Sequence, residues 1–204
     1  MYPNSKMIFE YLKLNIAVKD DEFNIIYPER IRKLAKRHWT PIAVAKIAAQ
    51  FLVDKPGTRV LDIGSGAGKF CMVGSAFTDG DFTGIEQREY FYQFSNRLKH
   101  NYRLANVKFI HSNITRINFK EYDAFYFFNS FFENIDSTAM IDDTVKSDIQ
   151  LYLLYSKYVR EQLNEMPIGT RLVTYWSDLK EVPFGFKIHS SSLEGLLKMW
   201  EKVS

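Results

Sequence analysis

A glycine-rich segment at residues 60–68 limits the folds available to this chain more than any other feature. It reads V-L-D-I-G-S-G-A-G, an apolar run with an aspartate near its end and then three glycines at alternate positions. Glycine adopts positive φ without steric penalty and lets a ligand approach the backbone closely. A helix that follows such a turn presents unpaired N–H groups. The segment therefore predicts a strand, a tight turn and a helix, with a nucleotide-like ligand at the turn.

Two other glycine-rich motifs differ from this one. A Walker phosphate-binding loop needs a longer spacing than the one from Gly64 to Lys69, and Phe70 stands where that loop has Ser or Thr. The dinucleotide fingerprint requires a third glycine at the position of Lys69. The sequence therefore argues against an NTPase, and an NAD-dependent dehydrogenase is the least favoured class of enzyme.

Together with the segments after it, this motif resembles the class I S-adenosylmethionine-dependent methyltransferases. Their first motif is a strand with an acidic residue at its end and then x-G-x-G-x-G, which Asp62 and the three glycines match. Their second motif is an acidic residue at the end of the next strand, and Glu86 lies 20 residues after Gly66. The third motif usually has Asp where this chain has Asn113.

The resemblance implies S-adenosylmethionine as the cofactor. It implies that Glu86 accepts hydrogen bonds from the two ribose hydroxyls. It also implies that the side-chain oxygen of Asn113 accepts one from the adenine amino group. The cofactor-binding residues expected on this basis are Asp62, Gly64, Ser65, Gly66, Gly68, Glu86, Gln87, Asn113, Ile114 and Thr40.

The apolar run at 122–128 predicts a buried fourth strand that ends at the reacting groups. In amine-directed members of the resembled family, Asn or Asp at this place accepts hydrogen bonds from the target amine. We therefore expect Asn129 to be catalytic and Phe131 and Phe132 to bind the substrate, with Tyr126 a further aromatic candidate. The form F-F-N-S-F-F is more similar to the non-SET histone-lysine methyltransferases and their small bacterial relatives. The alternative is that Asn129 only caps the following turn.

Strand and helix patterns alternate along the chain, which predicts an α/β fold. We expect a seven-stranded, mostly parallel Rossmann-like methyltransferase sheet with helices on both faces and a C-terminal antiparallel hairpin. Beyond the first strand, the predicted strands are 82–86, 107–111, 122–128, 172–175, 186–190 and 196–203. The predicted helices are 7–18, 28–37, one after Thr40, one after the glycine turn, 87–104 and 144–164.

The chain is expected to divide into a helical extension and a catalytic domain. Residues 1–39 form the extension, as part of the same globule, and residues 40–204 the S-adenosylmethionine-dependent methyltransferase domain. The boundary is a helix start at which Thr40 is the expected N-cap and Pro41 the first helical residue.

Composition indicates an ordinary globular chain of 204 residues with a net charge of +3. A single cysteine, Cys71, excludes an internal disulfide and is typical of a reducing cytoplasm, where we expect the protein to be. The sequence has no signal peptide and no apolar run near 18 residues, so we expect no membrane partner. It has no cluster of Cys and His at ligand spacing, so we expect no metal.

Two charged segments give opposite indications about the methyl acceptor. The basic segment, Arg30, Arg32, Lys33, Lys36 and Arg37, could contact phosphates, although a charge run on a helix is more often a solvated face. The acidic residues after the fourth strand, Glu133, Asp136, Asp142, Asp143 and Asp148, would attract a basic peptide. Because the acidic residues are expected nearer the chemistry, they favour a protein lysine.

Three functions therefore remain open from the sequence. The leading prediction is an S-adenosylmethionine-dependent N-methyltransferase acting on an amine, with a protein lysine preferred. The alternatives are a methyltransferase of RNA or of a small molecule, and a non-catalytic S-adenosylmethionine-binding interaction module.

Overall fold

The computed structural model describes residues 7–136, 141–145, 148–177 and 179–204. In these ranges one sheet contains seven strands in the order β3-β2-β1-β4-β5-β7-β6. The strands are β1 Arg59–Ile63, β2 Asp81–Glu86, β3 Val107–His111, β4 Ala124–Phe128, β5 Arg171–Tyr175, β6 Phe186–Ser192 and β7 Leu197–Lys202. The first five are parallel, and β7 is antiparallel to both β5 and β6. The predicted α/β fold with its C-terminal antiparallel hairpin is confirmed.

Helices cover both faces of the sheet. They are α1 Ile8–Lys13, α2 Asp20–Phe23, α3 Glu29–His38, α4 Ile42–Leu52, α5 Lys69–Phe77, α6 Glu89–Asn101 and α7 Ile149–Asn164. Alternation along β4 divides the core, because Ala124 and Tyr126 pack with helices α4 to α6 while Phe125 and Phe127 pack with α7. Burial on both faces explains why this strand is apolar without interruption in the sequence.

The N-terminal helices pack into the same core as the sheet. Ile8 and Leu12 of α1 and Phe23 of α2 are fully buried in the cluster that also contains α4 and α5. The helix expected at 7–18 is shorter than predicted, because α1 ends at Lys13 and Asn15 has a left-handed φ of 55°. This bend turns the chain so that α2 lies beside the glycine turn.

The expected Thr40 cap is wrong. Pro41 is the N-cap residue of α4, and the Thr40 hydroxyl instead hydrogen bonds to the Tyr126 hydroxyl at 2.9 Å. The backbone N–H of Ile42 donates to the carboxylate of Asp20 at 3.0 Å. A residue 22 positions earlier therefore supplies the cap, which local sequence rules do not reveal.

The long helix expected at 144–164 begins later, at Ile149. Asp148 is its N-cap, and its side chain accepts a hydrogen bond from the backbone N–H of Gln150. Residues 146 and 147 of the predicted helix lie outside the described residues. The remaining element boundaries agree with the sequence within a few residues.

Candidate functional site

A cavity of about 990 Å³ lies at the carboxyl ends of the parallel strands. It is lined by Gly64 after β1, Glu86 at the end of β2, Asn113 after β3 and Asn129 after β4. Ligands of open α/β sheets bind at this edge. The volume is at the upper end of the range for small-molecule sites, so a nucleotide-sized cofactor leaves room for a second molecule.

The glycine turn is held by close packing against two side chains. Gly64, Gly66 and Gly68 have φ values of 75°, 52° and 78°. A Cβ atom on Gly66 would lie 2.2 Å from the ring of Trp39, and one on Gly64 would lie 2.5 Å from Cβ of Ser130. Glycine is therefore required both by the backbone conformation and by neighbouring protein atoms.

Glu86 is the acidic group of the cavity wall. One carboxylate oxygen accepts from the backbone N–H of Gly66 at 2.9 Å and the other from that of Arg88 at 2.7 Å. Burial raises the pKa of this carboxyl, although the two N–H donors oppose the rise. Each oxygen retains acceptor capacity, which is what a pair of ribose hydroxyls requires.

Asn113, Gln87 and Ile114 line the neighbouring part of the cavity. The side-chain oxygen of Asn113 accepts from both the backbone N–H and the hydroxyl of Thr115, at 3.0 and 2.9 Å. Its NH₂ group donates to the hydroxyl of Tyr155 at 2.8 Å. The oxygen expected to bind the adenine amino group is thus already shared, and its role in binding adenine stays a prediction.

Four of the predicted cofactor-binding residues lie behind the cavity wall. Thr40, Asp62, Ser65 and Gly68 are not among the residues that line the cavity. The carboxylate of buried Asp62 accepts from the Cys71 thiol at 3.4 Å, and burial raises its pKa to about 7. Burial also raises the pKa of the Cys71 thiol, which makes it a structural group.

At the end of β4 the structure brings the three predicted substrate-side residues together. Asn129, Phe131 and Phe132 all line the cavity, and Asn129 has a left-handed φ of 39°. Its side-chain amide makes no hydrogen bond to another described residue. Tyr126 does not take part, because its ring is buried and stacks on Phe70 at 3.8 Å.

Arg88 is a residue of the site that the sequence motifs do not reveal. Its guanidinium makes two hydrogen bonds to Glu133, at 3.0 and 2.6 Å, and one to Asp142 at 3.0 Å. All three side chains are nearly buried. Nothing in the local sequence indicates this network, since its members are up to 54 positions apart.

The basic segment lies beside the cavity, with Arg32, Arg37 and His38 of α3 among its lining residues. Arg37 pairs with Asp136 at 3.0 Å, while the side chain of Lys36 lies outside the described residues. Burial, and next the charges of Arg37 and Arg88, lower the pKa of His38 to about 4. The imidazole is therefore neutral near pH ~7.

Within the described part of the chain, no three His, Cys, Asp or Glu side chains are grouped to hold a metal ion. No helix among the described residues has the length and apolar character needed to cross a bilayer.

The residues present fit S-adenosylmethionine. The carboxylate of Glu86 is buried at the end of β2 with acceptor capacity left over, in a cavity that also contains Gly64 and Gly66. The sheet order, the antiparallel hairpin and this acidic group define the class I, Rossmann-like methyltransferase architecture.

A family described as "Methyltransferase domain" matches residues 54–165, which is more than half of the chain. The chain belongs to this family of S-adenosylmethionine-dependent methyltransferases, and S-adenosylmethionine is its cofactor. No curated protein matches the chain.

Several solved structures share the fold. TrmN from Thermus thermophilus is 18% identical with a TM-score of 0.57, and the match covers 85% of this chain and 52% of TrmN. A mutant of MtNAS in complex with S-adenosylmethionine is 13% identical with a TM-score of 0.58, covering 98% of this chain and 77% of MtNAS. Precorrin-6y C5,15-methyltransferase from Geobacter metallireducens GS-15 is 11% identical with a TM-score of 0.55, and the match covers 82% of this chain and 91% of that protein. The chain spans about half the length of TrmN.

Proposed function

We propose that this chain is an N-methyltransferase that transfers the methyl group of S-adenosylmethionine to an amine aligned by Asn129. The observation that carries the proposal is the placement of the Asn129 amide in the cavity, at the end of β4, without a hydrogen-bond partner among the described residues. Its left-handed backbone, with φ 39°, is unusual for a residue other than glycine. Such conformations are concentrated at functional sites.

S-adenosylmethionine supplies an activated methyl group when bound, so the chain's own task is orientation. The side-chain oxygen of Asn129 would accept a hydrogen bond from the acceptor amine and direct the nitrogen lone pair. Correct alignment of two reactants is worth about 7–11 kcal/mol of the barrier. Phe131 and Phe132 line the same part of the cavity and would keep water away from the amine.

The structure weakens the charge argument for a protein lysine. The single positive charge of Arg88 offsets part of the negative charge of Glu133 and Asp142, and Arg37 pairs with Asp136. These acidic groups are therefore less able to attract a basic peptide than the sequence indicates.

Two basic side chains of the cavity support an acceptor that carries a negative group, as RNA or a small anionic amine does. Arg32 and Lys198 line the cavity, and neither forms an ion pair with another described residue. Among the described residues, the Lys198 amino group donates only to the backbone oxygen of Gly195. RNA or a small molecule is therefore the preferred acceptor in this proposal, and a protein lysine the second candidate.

A labelled-methyl transfer assay tests the reaction and the acceptor class. We expect transfer to bulk RNA or to small anionic amines, and a loss of transfer for Arg32→Gln, which removes one of the unpaired charges. Transfer to a basic peptide alone, unaffected by Arg32→Gln, would contradict the preferred acceptor and support lysine.

Asn129→Ala and Asn129→Gly test the alignment step with the acceptor found in that assay. Both variants should lower kcat by about 100-fold while leaving the affinity for S-adenosylhomocysteine unchanged. The glycine variant is the control for backbone strain, because glycine accepts the left-handed φ freely. Full activity in Asn129→Gly would remove the amide from the mechanism.

A further inference from the structure

An ion pair between α5 and the N-terminal helix α2 lies in the same cavity, and its lysine is buried while its aspartate is half-exposed. Lys69, the first residue of α5, has a side chain that is 3% exposed, and its Nζ lies 2.5 Å from Oδ1 of Asp20. Nζ also donates to the side-chain oxygen of Asn24 at 3.1 Å. Lys69, Asp20, Asp21 and Asn24 all line the cavity.

The position of this pair follows from the order of the strands. Strands β3, β2 and β1 are neighbours in the sheet. Asn113 follows β3, Glu86 ends β2 and Gly64 follows β1, so these residues lie in that order along the edge of the sheet. The glycine turn then leads directly into Lys69. A ligand with its adenine at Asn113 and its ribose at Glu86 therefore extends its remaining end toward the glycine turn and Lys69. In S-adenosylmethionine that end is an amino acid, with one ammonium and one carboxylate group.

The pair has bonding capacity beyond its internal contacts. An ammonium group has three donors, and the two oxygen contacts of Lys69 leave one. Oδ1 of Asp20 accepts from Lys69 and from the backbone N–H of Ile42, whereas Oδ2 accepts from no described residue. Asp21 is exposed toward the cavity and forms no ion pair within the described residues.

We propose that Lys69 and Asp20, with Asp21 beside them, form the subsite that recognises the amino-acid end of the cofactor. Lys69 would bind the α-carboxylate, and the two aspartates the α-ammonium group. Charge-assisted hydrogen bonds of this kind are about twice as strong as neutral ones. Helix α2 of the N-terminal extension is then part of the cofactor site. The inference rests on the proposed function, because its ligand is the methyl donor.

Two ligands that differ only at this end test the proposal by isothermal titration. S-adenosylhomocysteine carries both amino-acid charges, while 5′-methylthioadenosine keeps the adenosine and the thioether without them. The variants are Lys69→Met and Asp20→Asn, the second of which keeps an oxygen to accept from Ile42 N–H. Each variant should lower the affinity for S-adenosylhomocysteine by about tenfold or more. It should lower the affinity for 5′-methylthioadenosine by less than about threefold.

Lys46→Met is the matched control. Lys46 also joins the N-terminal segment to the rest of the chain, through a 2.6 Å hydrogen bond to Asn15, but it does not line the cavity. It should change neither affinity. If Lys69→Met and Asp20→Asn lower the affinity for both ligands equally, the ion pair only supports the fold, and the proposal is overturned. Failure of the unmodified chain to bind either ligand would instead contradict the proposed function, and this inference with it.

Discussion

The structure gives Glu86 a role beyond the one that the sequence motif predicts. Its place at the end of β2 predicts contact with the ribose of the cofactor. The structure adds that its two oxygens fix the backbone N–H groups of Gly66 and Arg88. The same carboxylate therefore shapes the glycine turn and the approach to α6. A change at this residue should affect binding both directly and through the turn.

Glu86→Gln should reduce affinity for S-adenosylhomocysteine by about tenfold or more. The amide keeps one acceptor but points its NH₂ group at a backbone N–H, which leaves a buried donor unsatisfied. Isothermal titration measures the change, with Glu121→Gln as the control because Glu121 is exposed in a short 3₁₀ turn away from the cavity. Unchanged affinity in Glu86→Gln would refute the assignment of the second motif.

Asp62 is an acidic residue of the first motif that faces a buried thiol instead of the cavity. Its folded-state pKa of about 7 lies above its usual value of 3.8, chiefly because it is buried. Between these two values the folded chain holds a proton that the unfolded chain has released. The contribution of Asp62 to the free energy of unfolding therefore falls as pH rises through this window.

Asp62→Asn should remove this pH dependence. An amide oxygen can still accept from the Cys71 thiol, and no proton is lost as pH rises. The variant should gain stability relative to the unmodified chain on going from about pH 5 to about pH 8, by at most roughly 1.4 kcal/mol per pH unit within the titration window. Urea unfolding at the two pH values measures this, with the exposed loop variant Asp79→Asn as control. A constant difference between Asp62→Asn and the unmodified chain would contradict the assigned pKa.

Among the secondary-structure elements, the strands agree with the sequence more closely than the helix ends do. Phe125 and Phe127 are buried on one face of β4 and Tyr126 on the other, so the hydrophobic pattern alone identifies the strand. The start of α4 depends on Asp20, which is distant in sequence. Helix caps supplied by another element cannot be inferred from local motifs, which explains the incorrect Thr40 prediction.

The Arg88 network connects three segments that meet only in the folded chain. It joins the loop after β2 to the 3₁₀ turn Phe132–Asn134 and to Asp142. The Arg88 and Glu133 side chains are 4% and 9% exposed, so removal of one partner leaves a charge away from water.

Arg88→Met should lower the free energy of unfolding by about 3–5 kcal/mol, because Glu133 then loses its main counter-charge. The control Lys157→Met breaks an exposed pair with Glu161 and should change stability by less than about 1 kcal/mol. Urea unfolding compares them. The double variant Arg88→Met with Glu133→Gln should regain part of the loss. If Arg88→Met and Lys157→Met lower the free energy of unfolding by the same amount, the network does not stabilise the fold significantly.

At the scale of the whole molecule, the sequence predicts the part of the cavity formed by the strand ends. It does not predict the part formed by the N-terminal helices. Gly64, Glu86, Asn113 and Asn129 are each recognisable from a strand pattern followed by a polar residue or glycine, and all four line one cavity. Asp20 gives no such signal, because it comes from a short N-terminal helix whose position is fixed by tertiary packing. The residues that the N-terminal helices contribute to the site are therefore identified only by the structure.

The cavity at the strand ends is where we expect S-adenosylmethionine to bind. Isothermal titration of the intact chain with S-adenosylhomocysteine tests it most directly, with NAD⁺ as the parallel ligand. We predict a dissociation constant on the order of micromolar, about −8 kcal/mol, for S-adenosylhomocysteine and no measurable heat of binding for NAD⁺. Preferential binding of NAD⁺, or binding of neither ligand, would contradict this assignment of the cavity.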